Sequence, residues 1–385
     1  MRVRVHRLNH EGSYTHMKLV CSKSNLLSGL QIVSKAVPNK TTMSILECIL
    51  VDASKGVIKL TANDMELGIE TVIEGEIIEK GIIALDAKIF LEIVRKLPDN
   101  DITIQTDSSC KATITCEKAK FNIIGKSGED FSYLPAIEKN DNIVMSQFTL
   151  KEVVRQTIFS ISDNENNKLM SGELFEINGS EMRVVSLDGF RVSIRKIQLK
   201  DSYAPKKVVV PGKTLNEVSK ILPGNADSDV IISFTPKHIV FEFGNTTVVS
   251  RLIEGEYFRI DQMISSDYET KVSVNKKEFL SCIDRATLLV KEGDKKPIII
   301  NITDGNMEMK INSVIGSMNE DIDIEKEGKD LMIGFNPKYL IDALRVIDDE
   351  DVDLYMVNPK APCFIKNKEE SYIYLILPVN FTTVS

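Results

Sequence analysis

Three stretches of this chain repeat one pattern at one interval, and that periodicity limits the possible folds more than any other feature. They are GIIALDAKIFLEIVRKLP (81–98), KVVVPGKTLNEVSKILP (207–223) and LMIGFNPKYLIDALRVID (331–348). Each reads as an apolar strand, a short loop and an amphipathic helix. Lys88, Lys213 and Lys338 are spaced by 125 and 125 residues, as are Arg95, Lys220 and Arg345, and Glu92, Glu217 and Asp342. Solenoid repeats are roughly 20–50 residues long, so a period of this size marks whole domains in tandem.

A second helix recurs less strictly, with apolar faces at Leu27/Leu30/Val33, Leu150/Val153/Thr157 and Leu280/Ile283/Ala286. Segments starting at Gly56, Gly179 and Gly305 alternate apolar and polar residues around a turn, as half-buried hairpins do. The pattern predicts an α+β fold of three similar tandem domains, each with two helices packed on antiparallel sheets. The expected boundaries are an extension at 1–16, then domains at 17–136, 145–261 and 269–385. Polar runs after Gly128 and Glu254 serve as linkers. The predicted helices are 22–37, 86–97, 149–161, 212–222, 274–290 and 335–348.

Composition narrows the function classes. No run of about 18 apolar residues exists to span a membrane. The six cysteines, Cys21, Cys48, Cys110, Cys116, Cys282 and Cys363, form no Cys-x-x-Cys pair. They read as reduced core residues of a cytoplasmic protein, with neither a metal site nor a redox motif. Residues 1–16 hold Arg2, Arg4, Arg7 and three of the four histidines but no apolar core, so they do not read as a secretory signal. They are expected to be an upstream extension without fixed structure.

Catalytic motifs are hard to assemble. Pro211-Gly212-Lys213-Thr214 follows a strand and opens a helix, as a phosphate loop does, but Lys207 stands where that loop needs its first glycine. Gly125-Lys126-Ser127 fails the same test at Lys120. After the extension only His238 remains as a histidine, in a predicted strand. The acidic residues Asp321, Asp323 and Glu325 alternate as on an exposed strand face. No catalytic residue, cofactor or metal is therefore expected.

The cations carry more information. The six predicted helices together hold a net +6; with the whole chain at −8, the remainder holds −14. Lys88/Arg95, Lys213/Lys220 and Lys338/Arg345 lie two turns apart on their helices. The plainer reading pairs each with the intervening acid. The alternative is a weakly basic helical face suited to sequence-independent phosphate contact.

Several segments are similar to the bacterial DNA polymerase III beta subunit family, the sliding clamps. They are SILECILV (44–51), TANDMELGIE (61–70), GEDFSYLP (128–135), SGELFE (171–176), SLDGFRV (186–192), GFNPKYLIDAL (334–344) and YLILPV (374–379). The resemblance runs from Met17 to about Phe381. It implies a DNA clamp fold in which each chain forms half of a six-domain ring. A head-to-tail homodimer would encircle duplex DNA, with helices inside, and tether the polymerase. The other reading is a tandem-domain adaptor that binds proteins without encircling DNA.

The implied partners are double-stranded DNA, the DNA polymerase III alpha subunit, the clamp loader and other proteins with clamp-binding motifs. The implied peptide pocket is Met170, Leu187, Gly189, Phe190, Arg191, Val192, Met263, Leu377, Pro378 and Val379, with Asn336 and Tyr339 nearby. DNA-facing cations are Lys40, Lys88, Arg95, Lys168, Lys213, Lys220, Lys338 and Arg345. The implied dimer contact sets Phe121 and Ile123 against Leu288 and Leu289. The chain departs from the family pattern in having Phe258 where a proline is usual. It also carries extra residues after Asn380, and a loop at 162–169 whose only cation is Lys168.

Overall fold

The computed structural model describes residues 16–163, 167–290 and 296–381. The expectations for residues 1–15, 164–166 and 382–385 lie outside the described residues.

The first repeat runs β1 (Lys18–Ser22), α1 (Lys23–Val33), β2 (Cys48–Asp52), β3 (Ile58–Asn63), β4 (Leu67–Ile73), β5 (Glu76–Glu79), β6 (Ile82–Asp86), α2 (Ala87–Lys96), β7 (Asp101–Thr106), β8 (Lys111–Cys116), β9 (Ala119–Ile124) and β10 (Lys126–Ser127). The second runs β11 (Asn142–Ser146), α3 (Gln147–Thr157), β12 (Gly172–Leu187), β13 (Arg191–Pro211), α4 (Gly212–Ile221), β14 (Asp229–Phe234), β15 (His238–Phe243) and β16 (Thr246–Arg251). The third runs β17 (Thr270–Asn275), α5 (Lys276–Thr287), β18 (Ile298–Thr303), β19 (Asn306–Ser313), β20 (Gly316–Asp323), β21 (Glu325–Gly328), β22 (Leu331–Phe335), α6 (Pro337–Val346), β23 (Asp351–Met356), β24 (Cys363–Lys366) and β25 (Tyr372–Ile376). In the second repeat, β12 and β13 are long strands standing where the first has five shorter ones.

Local chemistry starts and stops the helices. Side chains of Ser22, Asp86, Ser146, Asn275 and Asn336 accept a backbone N–H from the first turn of α1, α2, α3, α5 and α6. Pro211, before α4, makes no such bond. Each repeat closes the C-terminal end of its second helix with a lysine from its first. Lys23 Nζ donates to the Leu97 carbonyl (2.5 Å), Lys151 to Leu222 (3.3 Å) and Lys276 to Ile347 (2.7 Å). A cation on these orphan carbonyls also opposes the helix dipole.

The described chain packs as two compact units, because strand pairing crosses the repeat boundaries. One unit holds the described residues up to Asn142 together with Val230–Arg251; the other holds Ile143–Asp229 and the described residues from Leu252 on. In the first unit, one sheet runs β10-β6-β2-β3-β4-β16-β15-β14 and a second runs β5-β1-β7-β8-β9. In the second unit the sheets run β12-β13-β25-β24-β23-β17-β21 and β20-β19-β18-β22. All of these pairings are antiparallel.

Helix faces fill the cores. Leu26, Leu30 and Val33 of α1 are fully buried, as are Phe90 and Val94 of α2. Leu30 and Val33 of the predicted stripe on α1 are inside, while Leu27 is half-buried and its neighbour Leu26 takes the inner place. In the second unit, Phe279, Cys282, Ile283, Leu340 and Leu344 pack with Ile300, Met307 and Leu354 in one cluster. Burying each such side chain contributes roughly 1.5–3 kcal/mol against the entropy of ordering the chain.

One core position breaks the threefold pattern. Ile49, Glu173 and Ile298 occupy equivalent places on β2, β12 and β18, opposite Leu85, Val210 and Phe335. All three are 0% exposed. Both Glu173 carboxylate oxygens lack a hydrogen-bond partner among the described residues, since the nearby Thr157 hydroxyl donates to the Val153 carbonyl (2.7 Å) instead. Burial pushes this carboxyl from 4.5 up to about 8, so it is largely neutral at pH 7.

Candidate functional site

Two strand pairs join one repeat to the next, and each forms a cavity. In the first unit β16 pairs with β4, Thr246 opposite Thr71 and Ser250 opposite Leu67. In the second unit β25 pairs with β13, Tyr372 opposite Arg195 and Ile376 opposite Arg191. The registers correspond: residues of β16 and β25 are 126 apart, and those of β4 and β13 are 124 apart.

The β13–β25 junction carries an open, mostly apolar cavity of about 550 Å³. It is lined by Met170, Leu187, Gly189, Phe190, Arg191, Val192, Phe258, Gln262, Met263, Pro362, Leu375 and Leu377. This size falls in the roughly 300–1,000 Å³ range of ligand pockets, and an apolar wall with few polar groups suits apolar anchors. Phe190, at 58% exposure, and Met263, at 40%, stand at its rim.

Arg191 is 7% exposed and fully committed to the protein. Its Nε donates to Asp188 (3.0 Å), Nη1 to Asp342 (2.7 Å) and Nη2 to the Phe159 carbonyl (2.5 Å). The guanidinium lies 4.6 Å from the Tyr339 ring centroid, and Phe190 stacks on that ring at 6.3 Å. The arginine therefore braces the wall instead of offering a charge to a ligand. Gln262 supplies the amide group at the rim.

The linker forming the opposite wall is held from behind. Arg183 Nη1 donates to Asp261 (2.5 Å), and Arg183 also pairs with Glu176, which Lys207 reaches at 2.5 Å. The hydrogen bond from Arg183 holds the Asp261 carboxyl below its ordinary value. Ile260 is 2% exposed and anchors the same turn in the core.

At the β4–β16 junction the equivalent cavity is about 90 Å³, lined by Asn63, Met65, Glu66, Leu67, Gly68, Ser132, Tyr133, Leu134, Pro135, His238, Val249 and Arg251. Position by position, Asn63 matches Leu187, Leu67 matches Arg191, Gly68 matches Val192, His238 matches Pro362, Val249 matches Leu375 and Arg251 matches Leu377. The turn needs left-handed backbone at both junctions. Gly189 supplies it freely at φ 89°, while Met65 does so at φ 76° with some strain.

The structure brings together eight of the twelve expected pocket residues: Met170, Leu187, Gly189, Phe190, Arg191, Val192, Met263 and Leu377. The other four lie alongside. Tyr339 stacks on Phe190, and Asn336 caps α6. Pro378 continues from Leu377 as the half-buried start of the terminal segment, and the Val379 N–H donates to the Gly334 carbonyl (2.8 Å). Phe258, Gln262, Pro362 and Leu375 also line the cavity. Aligning Leu375 and Pro362 with Val249 and His238 of the second repeat is a signal that reaches them from sequence.

All eight expected DNA-facing cations, Lys40, Lys88, Arg95, Lys168, Lys213, Lys220, Lys338 and Arg345, are exposed. Intrahelical pairing holds for Arg95 with Glu92 and for Lys220 with Glu217 (2.8 Å). In the third repeat the acid in phase, Asp342, turns to Arg191, and Arg345 faces Asp284 (3.4 Å). Of the expected dimer residues, Phe121 is 39% exposed on edge strand β9 and Leu288 is 77% exposed after α5. Ile123 is half-buried, and Leu289 packs against the third repeat's core.

Among the described residues no helix is long and apolar enough to cross a membrane, and no acid, histidine or cysteine cluster could hold a metal.

Residues 17–135 match the N-terminal domain family of the DNA polymerase III beta subunit, 144–258 its central domain and 261–380 its C-terminal domain. A beta sliding clamp of Staphylococcus aureus is 33% identical over 374 residues, covering 94% of this chain and 99% of that protein. A solved DNA polymerase sliding clamp from Bacillus subtilis is 33% identical with a TM-score of 0.92, covering 95% of this chain and 100% of the other. A solved chain from Eubacterium rectale ATCC 33656, assigned to the DNA polymerase III beta subunits, is 76% identical with a TM-score of 0.93 at the same coverage.

Proposed function

The chain belongs to the DNA polymerase III beta subunit family, and from that premise we propose that it is a sliding clamp. In this reading it is a non-catalytic cytoplasmic protein of three tandem domains, near 17–136, 145–261 and 269–385. Two copies close head to tail into a ring around duplex DNA. The ring tethers the DNA polymerase III alpha subunit, the clamp loader and other proteins bearing clamp-binding motifs. Tethering turns each rebinding of the polymerase into an intramolecular event, so processivity needs no chemistry from the clamp.

The observation that carries this reading is which strands are joined and which are not. β9, β16 and β25 are equivalent across the repeats, as are β4, the start of β13, and β20. Two joints of this kind are made within the chain: β16 to β4 and β25 to β13. One strand of each kind, β9 and β20, is left at a sheet edge. Unpaired edges invite strand addition. A second copy offers each edge its missing partner, and two such joints close a ring with twofold symmetry. Carrying the internal registers over sets Ala119 opposite the partner's Glu320, Phe121 opposite the partner's Met318 and Ile123 opposite the partner's Gly316. Leu289 supports that placement, since it lies 3.7 Å from where a Cβ on Gly316 would stand.

The exposed cations on α2, α4 and α6, with Lys40 and Lys168, would hold duplex DNA through its phosphates without reading sequence. The β13–β25 cavity would seat the apolar anchors of partner peptides. The test is topological. Loaded on nicked circular DNA the protein should stay bound through gel filtration, and it should run off once the circle is cut. No retention on the circle would favour the adaptor reading.

A further inference from the structure

The two junctions share one backbone plan, yet one cavity is about 550 Å³ and the other about 90 Å³. Three positions account for the difference. Residues 119–135 and 246–262 align without a gap at an interval of 127, which makes Leu134 the counterpart of Asp261. In the first unit the linker folds over the groove. Asn63 Nδ2 donates to the Ser132 carbonyl (2.6 Å), and Leu134 settles onto Gly68. A Cβ built at Gly68 would stand 2.0 Å from Leu134 Cδ2, so any larger residue at 68 would push that side chain out of its place. In the second unit none of these conditions is met. Leu187 has no donor for the linker, Val192 carries a side chain where Gly68 has none, and Asp261 turns away to Arg183 (2.5 Å).

We propose that Asn63, Gly68 and Leu134 act together as a built-in plug that reserves ligand binding for one of the chain's two equivalent junctions. This rests on reading the β13–β25 cavity as the peptide pocket. Leu134 then occupies, in cis, the kind of seat that a partner's apolar anchor takes at the open junction. The plug holds each chain to one binding site and keeps the groove of the first unit from capturing partners at the wrong place. Val249, which lines the plugged cavity and is 6% exposed, is the internal reporter.

Two measurements on the full chain test this. In the first, V249C and V249C/L134A are labelled with N-ethylmaleimide and read by peptide mass, with half-exposed Cys110 as the internal rate standard. Removing the plug should speed labelling of the new thiol about tenfold, because thiol reactivity follows access. Equal rates would overturn the proposal. In the second, the wild type and N63L/G68V/L134D are titrated calorimetrically with a short amidated peptide carrying leucine and phenylalanine anchors. One peptide per wild-type chain and two per folded variant chain are expected; one per folded variant chain would overturn the plug. A wild type that binds no peptide would sink the pocket reading alone. If the triple variant fails to fold, labelling of V249C/L134A, in which the plug change only removes side-chain atoms, still decides.

Discussion

The β4–β16 and β13–β25 junctions have the same strand directions, the same register and the same left-handed turn, yet one is shut and the other open. Backbone geometry therefore does not open a cavity here; a few side chains facing the groove do. At the closed junction the facing residues are Asn63, Leu67, Gly68 and Arg251, and the linker crosses over them. At the open one they are Leu187, Arg191, Val192 and Leu377, and the linker is drawn back. Position 67/191 shows the exchange most plainly. Leu67 is 2% exposed and needs no partners, whereas Arg191 is 7% exposed and needs three.

The comparison extends to a third junction, the proposed β9–β20 joint between copies, which has no covalent connection to hold it. The largest effect is expected there. Leu288→Asp should convert dimer to monomer by light scattering, because a charge placed at an apolar contact must be desolvated. A variant that remains dimeric at micromolar concentration would move the contact elsewhere.

Next comes Glu173, the acid buried in the core of the second repeat. Glu173 loses its proton near 4.5 when unfolded but keeps it to about 8 when folded. Its folded pKa is raised, so the stability of the neutral form is fully present below 4.5 and is lost as pH rises toward 8. The slope should approach about −1.4 kcal/mol per pH unit in that window. Glu173→Ile, the residue of the sister repeats, should flatten the urea-unfolding profile across it. An unchanged slope would assign the pH dependence to other groups.

Making the open junction resemble the closed one at a single position should be costly. Arg191→Leu strands Asp188 and Asp342 and removes the brace on Tyr339, for a loss of about 3 kcal/mol in urea unfolding. The reverse change, Leu67→Arg, would bury an unpartnered charge and should be no better tolerated. The smallest effect belongs to Asp261→Asn. That ion pair has an exposed carboxylate partner, so losing it should weaken peptide binding by only about two- to fivefold at low salt. A change too small to measure would assign the hold on the linker to its packed side chains, Tyr257 and Ile260 among them.

Much of the architecture was legible from neighbours in sequence. The cations of α2, α4 and α6 are 125 residues apart, and all six helices begin within two residues of their expected starts. Helix caps and alternating strands act over three or four residues, so one sequence suffices to find them. The pocket was legible only in part. Met170, Leu187 and Met263 were reachable through family resemblance, while Gln262 faces the cavity because Arg183, 78 residues away, holds the neighbouring Asp261. Pairing in phase also misled: Asp342 sits where Glu92 and Glu217 serve their own helices, but it is spent on Arg191, 151 residues away.

By itself the sequence determined three copies of one module, where each helix and hairpin lies, and an excess of positive charge on the helices. These follow from periodicity and from contacts within a few residues. The tertiary structure alone decided that the copies pack as two units, that β9 and β20 remain as edges, and that one of two matching grooves stays open. Those outcomes turn on side chains meeting across more than 60 residues, as Asn63 meets Ser132 and Arg183 meets Asp261. Hydrogen bonds and close packing act over a few ångströms, and only the folded chain brings such residues within that reach.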